Sequence, residues 1–466
     1  MSNPLVNEGI GIKVKKKFGK RNEENNTGGK VLVQLIGMNK AIDICAEACA
    51  CCWDKQIPDD YAGRAEYVAK RARIGHTSVL EHSNYVLYMS IDAVYSTELI
   101  EFLTWCNYLN TKTFISDDKS RWHLVIGGSY RGFADIYRET DDLNNPVLKA
   151  ITGNLYTYAN SAAFEDICKE GLMDKSQFKN IEPTEEWDNV ILTDTNAVGF
   201  ENELFKIIGL DNISKLYSNL YNADKECALK ISTFDLIKFA TVSVLFKDMS
   251  RTGTHQLVRH RNGITQESQR YVDYSKACFS SPEIFKPDKY DKDHKYTISF
   301  GPSGQMHLTL SEIGKAICDI YGMLSSPNIT GNNFALLKED ARAFLPGNVQ
   351  CKKIYITFTF KNLFKFLNLR EDKAAQAEIR RYAVSIGDVI RENTKFSTKE
   401  VMDLYTKPRL LVSDPFSFDE NLGETEEVID ITEEDYMKAT GLDVVGDDEI
   451  SEDDKASSKL KNGDEV

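Results

Sequence analysis

No apolar stretch in this 466-residue chain approaches the roughly 20 residues that a membrane-spanning helix needs; the longest, such as Val31 to Gly37, fall far short. The start, MSNPLVNEGIGIKVKKKFGKRNEENNTGG, carries basic residues but lacks the apolar core of a secretory signal. A soluble, cytoplasmic protein is therefore expected, with its ten cysteines as thiols. Also missing is any paired CxxC module or histidine cluster to accompany Cys45, Cys49, Cys51 and Cys52. Four-residue spacing is what a buried helix face of small residues produces, so a core reading stands ahead of a metal site, and no metal is expected. What is present is 42% hydrophobic and 10% aromatic residues, enough for a large core. Wholesale disorder, collagen-like chains and disulfide-stapled miniproteins are excluded.

The net charge of −14 is unevenly spread. Residues 411–466 hold 19 acids and 4 bases, net −15, whereas the other 410 residues hold 53 bases and 52 acids. The chain is thus a nearly neutral body with an acidic tail, in which ETEEVIDITEED and GDDEISEDD read as a solvated, disordered extension. Residues 1–30, net +4, read as a flexible basic N-terminus.

Between these ends strand and helix patterns mix. VLVQLIG reads as a buried strand, AIDICAEACACCW and AEYVAKRARIG as helices, and YVLYMSI as a strand. A further strand, Ala240 to Ser250, follows only after about 150 residues containing LIEFLTWCNYL, an amphipathic helix, and WHLVIGGSYRGFADIY, a strand running into a helix. Residues 91–237 are expected to form one inserted subdomain. Later, SEIGKAICDIYGML reads as a helix and KIYITFTFKNLFKFLNLRED as an alternating strand entering a helix. AQAEIRRYAVSIGDVIREN places Ile379, Tyr382, Ala383, Ile386, Val389 and Ile390 on one stripe. The echo between WHLVIGGSYRGFADIY and IYITFTFKNLFKFLNL suggests duplication, although one matching pair leaves chance open.

The densest chemistry lies in RTGTHQLVRHRNGITQESQRYVDYSK, Arg251 to Lys276. It packs Arg251, Arg259, Arg261 and Arg270 with His255 and His260, interleaved with Gln256, Gln266, Ser268 and Gln269. Guanidinium forks bind the oxygens of an anion bidentately, which suits such a cluster. A nucleic-acid patch would need a longer basic stripe. A structural ion-pair network would need more local acids than Glu267 and Asp273. KEDARAFLP adds Arg342, and FLNLREDKAAQAEIRR adds Arg370, Gln376, Glu378 and Arg380. Upstream, GHTSVLEH holds His76, Ser78, Glu81 and His82, a spacing that does not make a helical metal pair.

In the order GHTSVLEH, RTGTHQLVRHRNGITQESQRYV, EDARAFLP and LNLREDKAAQAEIR, the chain resembles the flavin-dependent thymidylate synthase family. The resemblance covers residues 31–92 and 238 to about 408–410, which it implies are the catalytic domain. The fold it implies is α+β, with a mixed or antiparallel central sheet flanked by helices. The activity it implies is methylation of dUMP to dTMP: methylenetetrahydrofolate gives the carbon, reduced FAD the hydride, and NADPH recharges the flavin. None of the ten cysteines precedes a histidine, as the Pro-Cys-His nucleophile of conventional thymidylate synthesis would require. A flavin hydride leaves the protein to hold anions and polarise a ring.

By the same resemblance Gln256, Arg259, Gln266, Glu267, Ser268, Arg270, Arg342 and Arg370 bind dUMP. Arg370 favours the ionised N3 of uracil, and Ser268 hydrogen-bonds near the substrate. His76, Ser78, Arg259, His260 and Arg261 fall on FAD contacts. Thr359, Lys361 and Lys365 stand where the family carries an asparagine, an arginine, and a histidine or asparagine on the flavin side. Six residues, Asn262 to Glu267, separate Arg261 from Ser268, one fewer than the family's spacing. A homotetramer with shared active sites is implied. Two other classes remain open: a non-catalytic nucleotide-binding or assembly protein that has lost its flavin, and a nucleic-acid binder using the Arg-His-Arg segment.

Overall fold

The computed structural model describes residues 29–139, 145–151, 189–193, 201–260, 263–275, 291–299, 301–331 and 334–392. The acidic tail, nearly all of the basic N-terminus and Arg261 lie outside them. All belong to the first of the two units into which the chain divides, Met1–Pro408. No helix among them is long and apolar enough to cross a membrane.

The first strand, β1 (Val31–Met38), has an alternating start and then four consecutive buried residues. After two residues comes α1 (Ala41–Trp53), whose alanines and cysteines let it lie close to its neighbours. Cys45, Cys49 and Cys51 are buried, so these thiols are core, and burial pushes the Cys49 thiol up to about 12. Among the described residues no group of three or more His, Cys, Asp or Glu is placed to hold a metal ion. Next come α2 (Tyr61–Arg73), capped by Asp60, whose carboxylate accepts from Gly63 N at 2.7 Å, and a 3-10 turn, Thr77–His82. Then follow β2 (Tyr85–Asp92), α3 (Ser96–Trp105), β3 (Asn110–Ile115), β4 (Arg121–Gly128) and α4 (Tyr130–Glu139). These four strands form an antiparallel sheet in the order β1-β2-β4-β3.

A second set begins with β5 (Phe205–Leu210), α5 (Ile213–Ala223), α6 (Lys225–Lys230) and α7 (Thr233–Leu236). It continues through β6 (Thr241–Ser250), α8 (Arg251–Leu257), a 3-10 turn Val258–His260 and β7 (Gly263–Gln266). A long excursion over residues 267–349 holds the hairpin β8 (Tyr296–Ser299) and β9 (Gln305–Leu308), then α9 (Leu310–Leu324), α10 (Pro327–Thr330) and α11 (Lys338–Ala341). The chain returns through β10 (Gln350–Thr359), α12 (Phe360–Arg370) and α13 (Ala377–Glu392). The second sheet is also antiparallel, in the order β5-β6-β10-β7. The protein is therefore α+β with antiparallel sheets and flanking helices.

The segment 91–237 does not stand apart as an inserted subdomain in the described residues. Its β3 and β4 complete the first sheet and its β5 edges the second. The reason is hydrophobic: Val125 of β4, Phe205 and Ile207 of β5, and Leu216 and Leu220 of α5 share one buried cluster with Val242, Ile356 and Phe358. The α13 stripe lands as its spacing demands, with Ile379, Tyr382, Ala383 and Ile386 buried and Val389 and Ile390 partly so. The excursion has a small core of its own, Tyr274, Cys318, Tyr321, Ala341 and Val349, which holds α9 and α11 together.

Candidate functional site

The strand β7 is short, and the chemistry gathers at its two ends. Its register against β10, Gly263 opposite Thr357 and Gln266 opposite Ile354, makes it span about 10 Å at ~3.3 Å per residue. Gly263 has to be glycine: a Cβ there would stand 2.7 Å from the carbonyl oxygen of Glu81.

Beyond the far end, Glu267 N donates to Lys353 O at 3.0 Å and Ser268 N to Cys52 O at 3.1 Å, so β10 and the end of α1 fix the exit. A tight turn follows, in which Ser268 O accepts from Tyr271 N and Val272 N and Ser268 Oγ accepts from Arg270 N at 3.3 Å. Glu267 turns inward and is fully buried. Its Oε1 accepts from the Tyr274 hydroxyl at 2.5 Å, its Oε2 has no hydrogen-bond partner, and burial raises its carboxyl above the usual range. Gln266 Oε1 accepts from Arg251 Nη1 at 3.1 Å.

Arg270 turns outward. Its Nε donates to Glu339 Oε2 at 2.8 Å, and Arg342 Nε donates to the main-chain oxygen of the same Glu339 at 3.0 Å. The excursion's small core thus delivers Arg342 beside Arg270. Three rings adjoin them: Tyr271 lies stacked 6.0 Å from Trp53, and His76 meets Trp53 edge-on at 4.6 Å and Tyr271 at 6.2 Å. The Arg71 guanidinium sits 4.7 Å from the Trp53 ring centroid. His76 is held below its ordinary value by burial and by Arg71 and Arg270, so its ring is neutral at pH 7. Ser78 is exposed two residues further along the 3-10 turn.

At the near end stands a second group. Arg370, the last residue of α12, donates from Nε to His260 Nε2 at 3.1 Å and from Nη1 to Gln256 Oε1 at 3.5 Å. Gln256 Nε2 in turn donates to Gln376 Oε1. The His260 ring rests edge-on against Phe366 at 5.1 Å, and burial, then Arg370, lowers it to about 4. A neutral imidazole with Nε2 as acceptor is what the Arg370 contact requires. Arg259 is exposed beside it. Position is set from below: Glu378 accepts from Ser250 N at 2.6 Å and Ser250 Oγ at 2.5 Å, and Ser250 caps α8, which carries Gln256.

A third feature flanks the start of α12. Thr359 is that helix's N-cap, accepting from Asn362 N at 3.2 Å. Lys361 and Lys365 lie one turn apart, and burial, Lys238 and Lys365 together lower Lys361. Lys361 and Lys238 both lie over the Phe234 ring, at 5.8 and 5.0 Å, with Asp235 as the adjacent acid.

Of the residues singled out by sequence, the structure joins Arg270 with Arg342 and His76, and Arg370 with His260 and Gln256. It does not join Arg370 to the Arg270–Arg342 pair within the chain; β7 separates them. Sequence reasoning passed over Trp53, Arg71, Tyr271 and Glu339. Tyr271 directly follows Arg270 in the QRYV stretch and could have been found there; the others carry no local signal.

Residues 224–394 match the family described as thymidylate synthase complementing protein. Curated relatives are flavin-dependent thymidylate synthases. Those of Mycobacterium leprae are 30% identical over 32% of this chain and 58% of the relative. That of Nitratidesulfovibrio vulgaris is 31% identical over 34% and 58%. That of Pyrococcus furiosus is 33% identical over 32% and 53%. A solved structure, thymidylate synthase X of Helicobacter pylori with FAD and dUMP, covers 40% of this chain and 91% of its own at 13% identity and a TM-score of 0.27. That last likeness is too distant to argue from. The matches bear out the resemblance to the flavin-dependent thymidylate synthase family over residues 224–394, which hold three of the four motifs; GHTSVLEH lies outside that stretch. The chain spans a little over half the length of these three relatives.

Proposed function

We propose that this protein makes dTMP from dUMP, with methylenetetrahydrofolate as carbon donor and FAD and NADPH as reductant. The observation that carries the reading is Arg270, which bonds the Glu339 carboxylate and lies over the Tyr271 ring beside Trp53 and His76, with Arg342 one turn after Glu339. An exposed guanidinium beside aromatic faces, with a second arginine on the adjoining turn, suits a nucleoside monophosphate: forks for the phosphate, ring faces for a base. The Glu339 carboxylate holds Arg270 until a phosphate competes for it.

Arg370 acts on the ring. Held by the neutral His260 and by Gln256, its guanidinium offers a fixed cation to a developing uracil anion, electrostatic stabilisation of about 3 to 4 kcal/mol by analogy with an oxyanion-hole donor. Ser268, whose hydroxyl is spent in its turn and has no base beside it among the contacts described, hydrogen-bonds rather than attacks. Because β7 separates Arg370 from the arginine pair, a shared site assembled from more than one chain, as in a homotetramer, belongs to the same reading.

The residues fit a flavin dinucleotide. Burial first, then Lys238 and Lys365, lowers Lys361, and with Asp235 as adjacent acid these three lysines are a donor set suited to a diphosphate. With Arg259, His260, His76 and Ser78 they would hold FAD, which supplies a hydride when bound. The test is tritium release from position 5 of labelled dUMP, with methylenetetrahydrofolate, FAD and NADPH each omitted in turn. Release that needs all three is expected once the yellow protein has been stripped of its flavin; release from the stripped protein without added FAD sinks the reading.

A further inference from the structure

The two sheets are one plan used twice. Leaving aside the excursion 267–349, α13 and single 3-10 turns, each set runs strand, helix, helix, short helix, strand, helix, strand, strand, helix, and each sheet orders its strands first, second, fourth, third. Each first strand is bulged at the same place, Leu35-Ile36-Gly37-Met38 in β1 and Ile207-Ile208-Gly209-Leu210 in β5. After each, the main chain closes alike: Asn39 N donates to Asn84 O at 3.0 Å, and Asp211 N to Thr241 O at 2.9 Å. The answering bonds run Asn84 N to Asn39 Oδ1 and Thr241 N to Asp211 Oδ2.

The contacts between the sets are exchanged in the same symmetric way. A Cβ at Gly37 would stand 3.1 Å from Leu216 of α5, and one at Gly209 would stand 3.0 Å from Ile44 of α1; Gly37 to Ile44 and Gly209 to Leu216 have equal spacing. One position past each third strand, Ser116 N donates to Arg121 O at 2.9 Å and Glu267 N to Lys353 O at 3.0 Å. Those two basic residues then reach the acid closing the other set's first helix: Lys353 to Asp54 at 3.1 Å, Arg121 to Asp224 at 3.3 Å. Where the sets meet, Asn84 Nδ2 donates to Asp211 Oδ2 at 3.3 Å. Chance convergence does not produce a matched element order, a matched bulge and two reciprocal contacts together.

We infer that the chain is a tandem duplication, in which the N-terminal copy, 31–139, occupies the place of a second copy of the C-terminal one, 201–392, and carries no nucleotide site itself. The copies differ at the one connection that matters. Between its third and fourth strands the C-terminal copy has the excursion 267–349 with Arg270, Glu339 and Arg342. The N-terminal copy has the turn 116–120, closed by Asp118 on Ser116 Oγ at 2.6 Å and Ser120 Oγ at 2.8 Å. The reciprocal location is filled by Arg121, Asp224, Glu226 and Lys230, whose charges satisfy one another. What the N-terminal copy gives instead is one wall of the other's site: Trp53, Arg71 and His76 come from it, Arg270 and Tyr271 from its partner. The nucleotide part of this inference rests on the function proposed above; the duplication does not.

Two double variants of the full chain test it, D54C with K353C and R121C with D224C, each treated with a short bismaleimide. The parent and the single variants control for native thiols. Both pairs are expected to bridge within one chain and run at single-chain mass on a denaturing gel. Bridging between chains, or failure of either pair to bridge, overturns the inference. Calorimetric titration of the parent with dUMP is expected to reach one equivalent per chain, and two equivalents overturn it. If both bridges form within the chain and no dUMP binds, the duplication stands and the proposed function fails.

Discussion

At the scale of single residues, the contact between Arg370 and His260 decides most. A guanidinium N–H can be accepted by imidazole only if that nitrogen is unprotonated, and burial together with Arg370 keeps His260 near 4. Arg370→Ala is expected to lower dUMP-dependent tritium release by about 10²- to 10³-fold, the range for loss of one preorganised donor, while the bound flavin absorbance stays near that of the parent. The same variant removes one of the two causes depressing His260, so its imidazole titration, followed by NMR, should shift upward; an unmoved midpoint would mean the contact is not made in solution. Sequence pointed to Arg370, His260 and Gln256 because each falls on a motif of the family the chain resembles. It could not point to Trp53 or Arg71, since an aromatic at a helix end and an arginine on a basic helix are ordinary until folding sets them beside Tyr271. Glu339 was invisible for the same reason: its partner Arg270 is 69 residues away.

At the scale of elements, buried polar side chains fasten one piece of backbone to another. His82, in the 3-10 turn before β2, bonds through Nδ1 to Thr357 of β10 and through Nε2 to Thr265 of β7, both at 2.9 Å. Complete burial lowers it to about 3. A depressed folded value means that the stability from neutral His82 is fully present above its unfolded value of about 6.5 and is lost as pH falls from there toward 3. Urea unfolding at several pH values should show that decline, worth on the order of a few kcal/mol, and His82→Gln should flatten it; an equal slope in the variant would refute the assignment. Glu378 does comparable work between α13 and the start of α8. Glu378→Ala strands the Ser250 N–H and hydroxyl and is expected to cost about 2 to 4 kcal/mol by thermal or urea unfolding, with weaker substrate binding because Gln256 loses its footing. The strands and helices themselves were readable from periodicity: β6, α1 and α13 lie within the stretches the sequence marked, and β1, β2 and β10 overrun theirs by one to three residues. Pairing partners were not, because period-2 alternation identifies a strand's faces and is silent about its neighbours.

At the scale of the whole molecule, one core decides how the parts behave. Ile36, Val86 and Val125 of the first sheet share a buried cluster with Val242, Val244 and Ile356 of the second. Calorimetry should accordingly give a single cooperative transition for residues 29–392 within the full chain; two resolved transitions would mean that the sheets are separate folding units. Reading 91–237 as an insertion followed from where the family motifs fall, since they flank that stretch. The echo between β4–α4 and β10–α12 was the better clue to architecture, yet a single matched pair in sequence had too little weight. The reciprocal packing of α1 and α5 exists only in three dimensions.

Asp211 lies at the meeting point of the two halves, fully buried, and accepts from four donors: Thr241 N, Thr241 Oγ1, Thr193 Oγ1 and Asn84 Nδ2. Greasy surfaces tolerate slippage, since a methyl group presses as well against one neighbour as the next. A carboxyl ringed by donors does not, because a shift of one residue would leave it and its former companions without partners in a dry interior. The seam is therefore keyed: the apolar residues supply the adhesion, and this acid admits one alignment of front half on back.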